Sequence, residues 1–217
     1  MTETSDLIER LVVEARPVRR LRSPVWRAAG WLTLAVVVVV GLGLLHGGLR
    51  PDLAAQLADR WFSVGLIAST TTGVLAALAA FISSLPDRSR LWLLLPAPAA
   101  LTWLATVGVG CLTNWVAIGP DGVQWGPAAA CFATLIAAAI PLSVAMFWML
   151  RHAARLRPAS TILAGGLAVA ALTATALSLL HAFEASAMIL LWNFGTAGLV
   201  LATDAALGPR RILRSAR

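Results

Sequence analysis

Charged residues are scarce in this sequence. Only 12% of its 217 residues are charged, which is half of the roughly 25% found in soluble domains. The mean hydropathy is correspondingly high, at +0.82. Six long stretches contain no Asp, Glu, Lys or Arg at all: 28–49, 61–86, 91–120, 122–150, 158–183 and 185–203. The shortage of charge therefore excludes an ordinary soluble domain.

Each charge-free stretch is long enough to cross a membrane as a helix. A span needs about 20 predominantly apolar residues, and these stretches lack the alternating pattern of barrel strands. The sequence predicts an all-α polytopic membrane protein with six transmembrane helices in a bundle over 25–208. A cytoplasmic segment, 1–24, would precede the bundle and a basic tail, 209–217, would follow it. The six predicted spans lie near 26–46, 62–84, 91–113, 128–149, 160–181 and 187–207.

Lysine is absent, and the 17 arginines are distributed very unevenly. Fifteen fall in the N-terminal segment, the second-to-third and fourth-to-fifth connections and the tail, whereas only Arg50 and Arg60 fall in the other connections. Positive residues concentrate on the cytoplasmic side, so both termini are predicted to be cytoplasmic. Topology and contact with anionic lipid head groups account for most of the basic charge. No direct binding of nucleic acid is expected, because no aromatic residues interleave with the arginines.

Catalytic and transport signatures are also missing. No Asp, Glu, Lys or Arg lies in the core of a predicted span, whereas ion-coupled transporters usually place ionisable groups there. The sequence has no Walker-type loop, no HExxH motif and no nucleophile elbow, so neither an enzyme nor a cofactor is expected. A small six-helix transporter or channel of unknown solute is the alternative to a regulatory protein.

The N-terminal segment contains the one amphipathic stretch. Residues 7–16 are predicted to form a helix with Asp6 as its N-cap, and Pro17 would end it. A lone helix of about ten residues is marginal in water, so its apolar face needs a protein groove or the membrane surface as a partner. That face comprises Leu7, Ile8, Leu11, Val12 and Ala15.

Two cysteines, Cys111 and Cys131, are predicted to lie near the same outer level as His46 and His181. Thiols in a membrane bundle are often small apolar fillers. The alternative is a redox or soft-metal sensor site, for which the metal is unknown. A disulfide would require Cα atoms within about 7 Å of each other.

Three stretches carry a resemblance to a known family: "DLIERLVVEARPVRRLRSPVWRAAGWL", "WMLRHAARLRP" and "LSLLHAFEASAMILLWN". Together with the six predicted spans, they make the chain resemble the NrsF-like family of bacterial inner-membrane anti-sigma factors, which regulate extracytoplasmic-function sigma factors. The resemblance extends from about Asp6 to Arg214. Its most specific parts are 17–24, 155–158 and the histidine–tryptophan pair His181 and Trp192.

The resemblance implies that the cytoplasmic segment holds the sigma factor and that the bundle receives a signal from outside. The expected partner-binding residues are Leu7, Ile8, Leu11, Val12, Ala15, Arg16, Arg19 and Arg20. The expected sensing residues are Cys131, Cys111 and His181. The family pattern pairs a cysteine early in the fourth span with one after the histidine that ends the fifth. Cys131 matches the first, but Ala182 occupies the second position, so the family-type pair is absent.

Overall fold

The computed structural model describes residues 2–14, 22–85, 87–115, 125–151 and 158–181. Within these ranges the chain is helical and contains no strand, which confirms the all-α prediction for this part. A 3-10 helix covers Arg90–Leu94. The α-helices are α1 (Thr2–Glu14), α2 (Pro24–Leu45), α3 (Leu53–Ala58), α4 (Arg60–Ser83), α5 (Ala97–Trp115), α6 (Trp125–Leu150) and α7 (Pro158–Leu180).

Five helical stretches in the described ranges are long and apolar enough to cross a membrane. They correspond to the first five predicted spans, and the sixth predicted span, 187–207, lies outside the described residues. The described residues therefore support five of the six predicted spans, and the sixth stays a prediction. The five stretches are Pro24–Leu45, Arg60–Ser83, Arg90–Val109, Phe132–Leu150 and Ala159–Leu180.

Local capping signals determine where two of these helices begin. Pro24 occupies the first turn of α2, and the Ser23 hydroxyl accepts a hydrogen bond from the Trp26 backbone N–H at 3.5 Å. At α4, the Asp59 carboxylate accepts from the Phe62 N–H at 2.8 Å. These caps place both helix starts two residues before the predicted span boundaries.

The N-terminal helix differs from the prediction. The sequence predicted a helix over 7–16 capped by Asp6, but α1 extends over Thr2–Glu14 and Asp6 lies inside it. Residues 2–14 contain neither glycine nor proline, so nothing in them prevents the helix from starting earlier. The predicted terminator, Pro17, lies outside the described residues.

Small residues allow α4 and α7 to pack closely at the centre of the bundle. Ala76, Ala77 and Ala80 of α4 are buried, and so are Ala168 and Ala171 of α7. Close helix–helix contact through small side chains is typical of membrane bundles, where lipid provides no hydrophobic drive for association.

Gly73 marks the tightest approach between these two helices. A Cβ atom at this position would lie 2.6 Å from Leu172 Cγ and 3.4 Å from the Leu172 backbone nitrogen. A hydrogen bond of 3.0 Å between Ser69 Oγ and Thr175 Oγ1 also crosses the interface. Packing and polar contacts thus hold α4 and α7 in one register.

Helix α2 is attached to its neighbours near its beginning. Trp31, which is fully buried, donates from Nε1 to the Leu142 carbonyl of α6 at 3.1 Å. One turn earlier, the Arg27 guanidinium donates to the Met149 carbonyl and lies 5.1 Å from the centre of the Phe81 ring. A charge-assisted bond and a cation–π contact therefore anchor this end of α2 to α6 and α4.

Candidate functional site

Helix α1 presents an apolar stripe to solvent. Ile8, Leu11 and Val12 lie on one face of the helix, and their exposed fractions are 57%, 59% and 67%. At 13 residues α1 is too short to cross a membrane, which takes about 20. The apolar stripe is therefore available to a partner or to the membrane surface.

The opposite face of α1 is polar except for one residue. Val13 is 81% exposed and lies on the same side as Asp6 and Glu9, which are also exposed. At about 100° per residue, Val13 points roughly 160° away from Leu11. Leu11 and Val13 are thus exposed apolar side chains on opposite faces of the helix.

The structure describes the side chains of only three of the eight predicted partner-binding residues. Ile8, Leu11 and Val12 share an exposed face, as the periodicity predicted. The side chain of Leu7 is outside the described part of the structure, as are the whole of Ala15, Arg16, Arg19 and Arg20. For all eight residues, partner binding stays a prediction.

At the other end of α2, three helices meet at one hydroxyl group. His46 directly follows α2, His181 directly follows α7, and Thr134 lies in α6. The Thr134 Oγ1 atom is 2.9 Å from His46 Nε2 and 2.8 Å from His181 Nε2. The two imidazole rings contact each other edge to face, with centroids 5.4 Å apart. We call these three side chains the histidine cluster.

The cluster joins a buried atom to a more accessible surface. Thr134 is almost fully buried, His181 is half-buried and His46 is exposed. His46 Nδ1 also lies 2.8 Å from the Leu42 carbonyl, one turn earlier in α2. Partial burial lowers the pKa of His181, and repulsion from a charged His46 lowers it further.

Arg50, which is paired with Asp52, attaches the connection after α2 to α7. Arg50 Nε and Nη2 donate to the two carboxylate oxygens of Asp52, each at 2.7 Å. The Arg50 backbone N–H donates to the Leu179 carbonyl at 3.0 Å, two residues before His181. The guanidinium holds the pKa of Asp52 at about 2, so this pair stays charged at physiological pH.

Sequence reasoning placed His46 and His181 at one level but did not identify Thr134. Threonine hydroxyls in membrane helices usually bond to their own helix, as Thr72 does to the Ala68 carbonyl at 2.7 Å. A single threonine in an apolar run carries no signal that distinguishes these cases. Only the packing of α6 against the ends of α2 and α7 shows that Thr134 bridges them.

The side chains of Cys111 and Cys131 lie outside the described part, so their placement near one outer level and the sensor alternative stay predictions. Among the residues that the structure describes, no group of three or more His, Cys, Asp or Glu side chains could hold a metal ion.

A comparison with protein families supplies the identity of the chain. A family model described as NrsF, negative regulator of sigma F, matches residues 11–214, which is nearly the whole chain. No curated protein and no solved structure matches it. The matched range includes part of the apolar stripe of α1, all five helical stretches that are long and apolar enough to cross a membrane, and the whole histidine cluster. The chain belongs to the NrsF family, the negative regulators of sigma F.

Proposed function

We propose that the protein is an inner-membrane anti-sigma factor that sequesters an extracytoplasmic-function sigma factor on α1 and releases it when the bundle receives an envelope or stress signal. One structural observation supports the sequestration step. The apolar stripe of α1 is exposed, although α1 is not one of the membrane-crossing helices. Within a family of negative regulators of a sigma factor, this stripe is the surface that best fits a protein groove.

Burial of the stripe provides the affinity. Each fully buried Ile, Leu or Val side chain contributes about 1.5–3 kcal/mol, so Ile8, Leu11 and Val12 together supply a substantial part of a specific contact. The arginines that follow α1 act at the rim of the contact. Arg16, Arg19 and Arg20 attract an acidic partner surface and orient it, which affects mainly the association rate.

The chain connects the partner-binding segment to the opposite side of the membrane. Helix α2 begins at Pro24, shortly after α1, and ends next to His46 in the histidine cluster. In the proposed topology, α2 spans the bilayer, for which it is long and apolar enough, and α1 and His46 lie on opposite sides of the membrane. This arrangement fits a protein that receives a signal on one side and controls a partner on the other. No catalytic step is required, because sequestration alone blocks the sigma surface that RNA polymerase needs.

The decisive experiment combines capture with transcription. The full-length chain would be co-expressed with the sigma factor encoded nearest to its own gene, purified from membranes and reconstituted in vesicles. We expect the sigma factor to co-purify, and the vesicles to inhibit transcription in vitro from a promoter that depends on it. Transcription that continues unaffected, together with solute flux through the vesicles, would favour the transporter alternative.

Membrane topology gives an independent prediction. Both termini should be cytoplasmic, because 15 of the 17 arginines lie in the segments on that side of the predicted topology. Fusions of a periplasm-active reporter after residues 50 and 120 should be active, and a fusion at the C-terminus should be inactive. Activity of the C-terminal fusion would contradict the proposed orientation.

A further inference from the structure

We propose that His46, Thr134 and His181 form a proton-sensitive latch that holds the ends of α2, α6 and α7 together on the side of the membrane opposite α1. The closed latch is the histidine cluster with both imidazoles neutral, and protonation of the cluster opens it. This inference concerns the bundle itself and does not need a sigma factor. Its consequence for partner release rests on the proposed function and is tested separately.

Hydrogen-bond chemistry determines the tautomers in the closed latch. The Leu42 carbonyl can only accept, so His46 Nδ1, at 2.8 Å, must carry the hydrogen that it donates. In a neutral His46 the Nε2 atom is therefore an acceptor, and the Thr134 hydroxyl donates to it across 2.9 Å. The Thr134 oxygen in turn accepts from His181 Nε2–H at 2.8 Å. Hydrogen bonds thus point in one direction, from His181 through Thr134 and His46 to Leu42.

An added proton disrupts this chain of hydrogen bonds. A proton on His46 Nε2 converts that atom from an acceptor into a donor, so the Thr134 hydroxyl must turn its hydrogen away to another acceptor. A second proton, on His181 Nδ1, would place two positive rings with centroids 5.4 Å apart around one oxygen atom. Repulsion between the rings then favours separation of the helix ends that they terminate.

The direction of the pH effect follows from linkage. The pKa of His181 is lowered from the ordinary value of 6.5, so the unfolded chain binds a proton at this residue more readily than the folded chain does. The contribution of His181 to stability is therefore complete above about pH 6.5 and is lost as the pH falls toward the lowered pKa of the folded state.

The other charged groups that the structure describes at this end of the bundle are Arg50, Asp52, Asp59 and Arg60. Arg50 and Asp52 neutralise each other, and the pKa of Asp52 is about 2. Asp59 and Arg60, at the start of α4, are exposed. The remaining titratable groups that the sequence assigns to this end are Cys111, Asp121, Cys131 and Glu184, whose side chains lie outside the described part.

Nitrogen-15 NMR of the full-length protein in nanodiscs tests the closed latch. The chain has only three histidines, so single His→Gln variants assign each signal. At about pH 7.5 we expect His46 as the Nδ1–H tautomer and His181 as the Nε2–H tautomer. The reverse tautomers, or a positively charged His46 at this pH, would overturn the proposal.

Thermal unfolding tests the opening of the latch. Between about pH 7.5 and pH 5.5 the unfolding midpoint of the native chain should fall, and in a His46→Gln, His181→Gln double variant the fall should be at least halved. Thr134→Val should lower the midpoint at the higher pH and reduce the further fall in acid. The matched control is Thr72→Val, since Thr72 is equally buried but bonds only to its own helix; it should retain the full pH dependence. An equal fall in the native chain and the double variant would overturn the latch.

A second experiment tests whether opening of the latch is coupled to release of the sigma factor. Vesicles carrying the chain and a captured sigma factor would be acidified only on the side of the histidine cluster. Release that occurs with the native chain and is lost with the double variant supports signalling through the latch. Retention of the sigma factor by the native chain, when the NMR and unfolding results are as expected, would show that the latch exists but does not control release. Failure to capture any sigma factor would reject the proposed function and leave the first two tests unaffected.

Discussion

Replacement of Leu11 by aspartate is expected to abolish capture of the sigma factor. Leu11 lies next to Ile8 in the apolar stripe of α1, and a carboxylate there would have to enter a desolvated groove without a partner. We expect a loss of about 3 kcal/mol or more, which corresponds to a weakening of binding by over a hundredfold. Co-purification of the variant with the sigma factor from membranes measures the effect.

Val13→Asp is the matched control for this substitution. It introduces the same charge into the same helix only two residues away, but on the polar face with Asp6 and Glu9. We expect sigma capture by this variant to stay within a few-fold of the native chain, and membrane insertion of both variants to be unchanged. Equal losses in Leu11→Asp and Val13→Asp would show that the helix as a whole, rather than its apolar stripe, is required.

Replacement of Arg19 and Arg20 by alanine should weaken binding less than Leu11→Asp, mainly through the association rate.

Gly73→Leu should have the largest effect on the bundle itself. Even the first side-chain atom at this position would lie 2.6 Å from Leu172 Cγ, well inside van der Waals contact. The backbone of α7 lies directly behind, so relief requires the two helices to move apart along their buried alanine-rich interface. Overpacking of this kind typically costs about 1–3 kcal/mol, and we expect a leucine here to reach the upper end or exceed it. The readouts are the yield of folded protein and its unfolding midpoint in nanodiscs.

The control is Gly30→Leu in α2. Gly30 also lies inside a membrane-crossing helix, but a Cβ atom there has no neighbour within 4 Å. The same substitution should therefore leave yield and unfolding midpoint close to those of the native chain. A similar loss in both variants would indicate that the effect arises from helix or lipid properties and that the α4–α7 contact does not cause it.

Features that depend on local composition could be predicted from the sequence. The first five spans were predicted to within a few residues, because the length of a charge-free apolar run is itself the physical requirement for crossing a bilayer. The face shared by Ile8, Leu11 and Val12 was also predicted, since helical periodicity alone places these residues together. The start of α1 was predicted wrongly because Asp6, a residue type that caps helices well, is also tolerated inside one.

Contacts between residues that are distant in the chain could not be predicted from the sequence, because they depend on how the helices pack. His46 and Thr134 are 88 residues apart in the chain, and Thr134 and His181 are 47 apart. Their meeting requires α2, α6 and α7 to adopt one particular register, which is determined by interactions such as Trp31 with the Leu142 carbonyl and Gly73 against Leu172. Such a register is the outcome of all the interhelical contacts together, so no single stretch of sequence encodes it.

The sequence by itself determined that this is a helical protein with an amphipathic N-terminal segment and several helices long and apolar enough to cross a membrane, and its motifs indicated the family. These properties follow from hydrophobic length, helical period and short motifs, all of which act locally. Only the tertiary structure decided that one threonine hydroxyl joins two histidines at the ends of separate helices. The physical reason is that hydrogen bonds act over about 3 Å, so their partners are known only once the helices are packed.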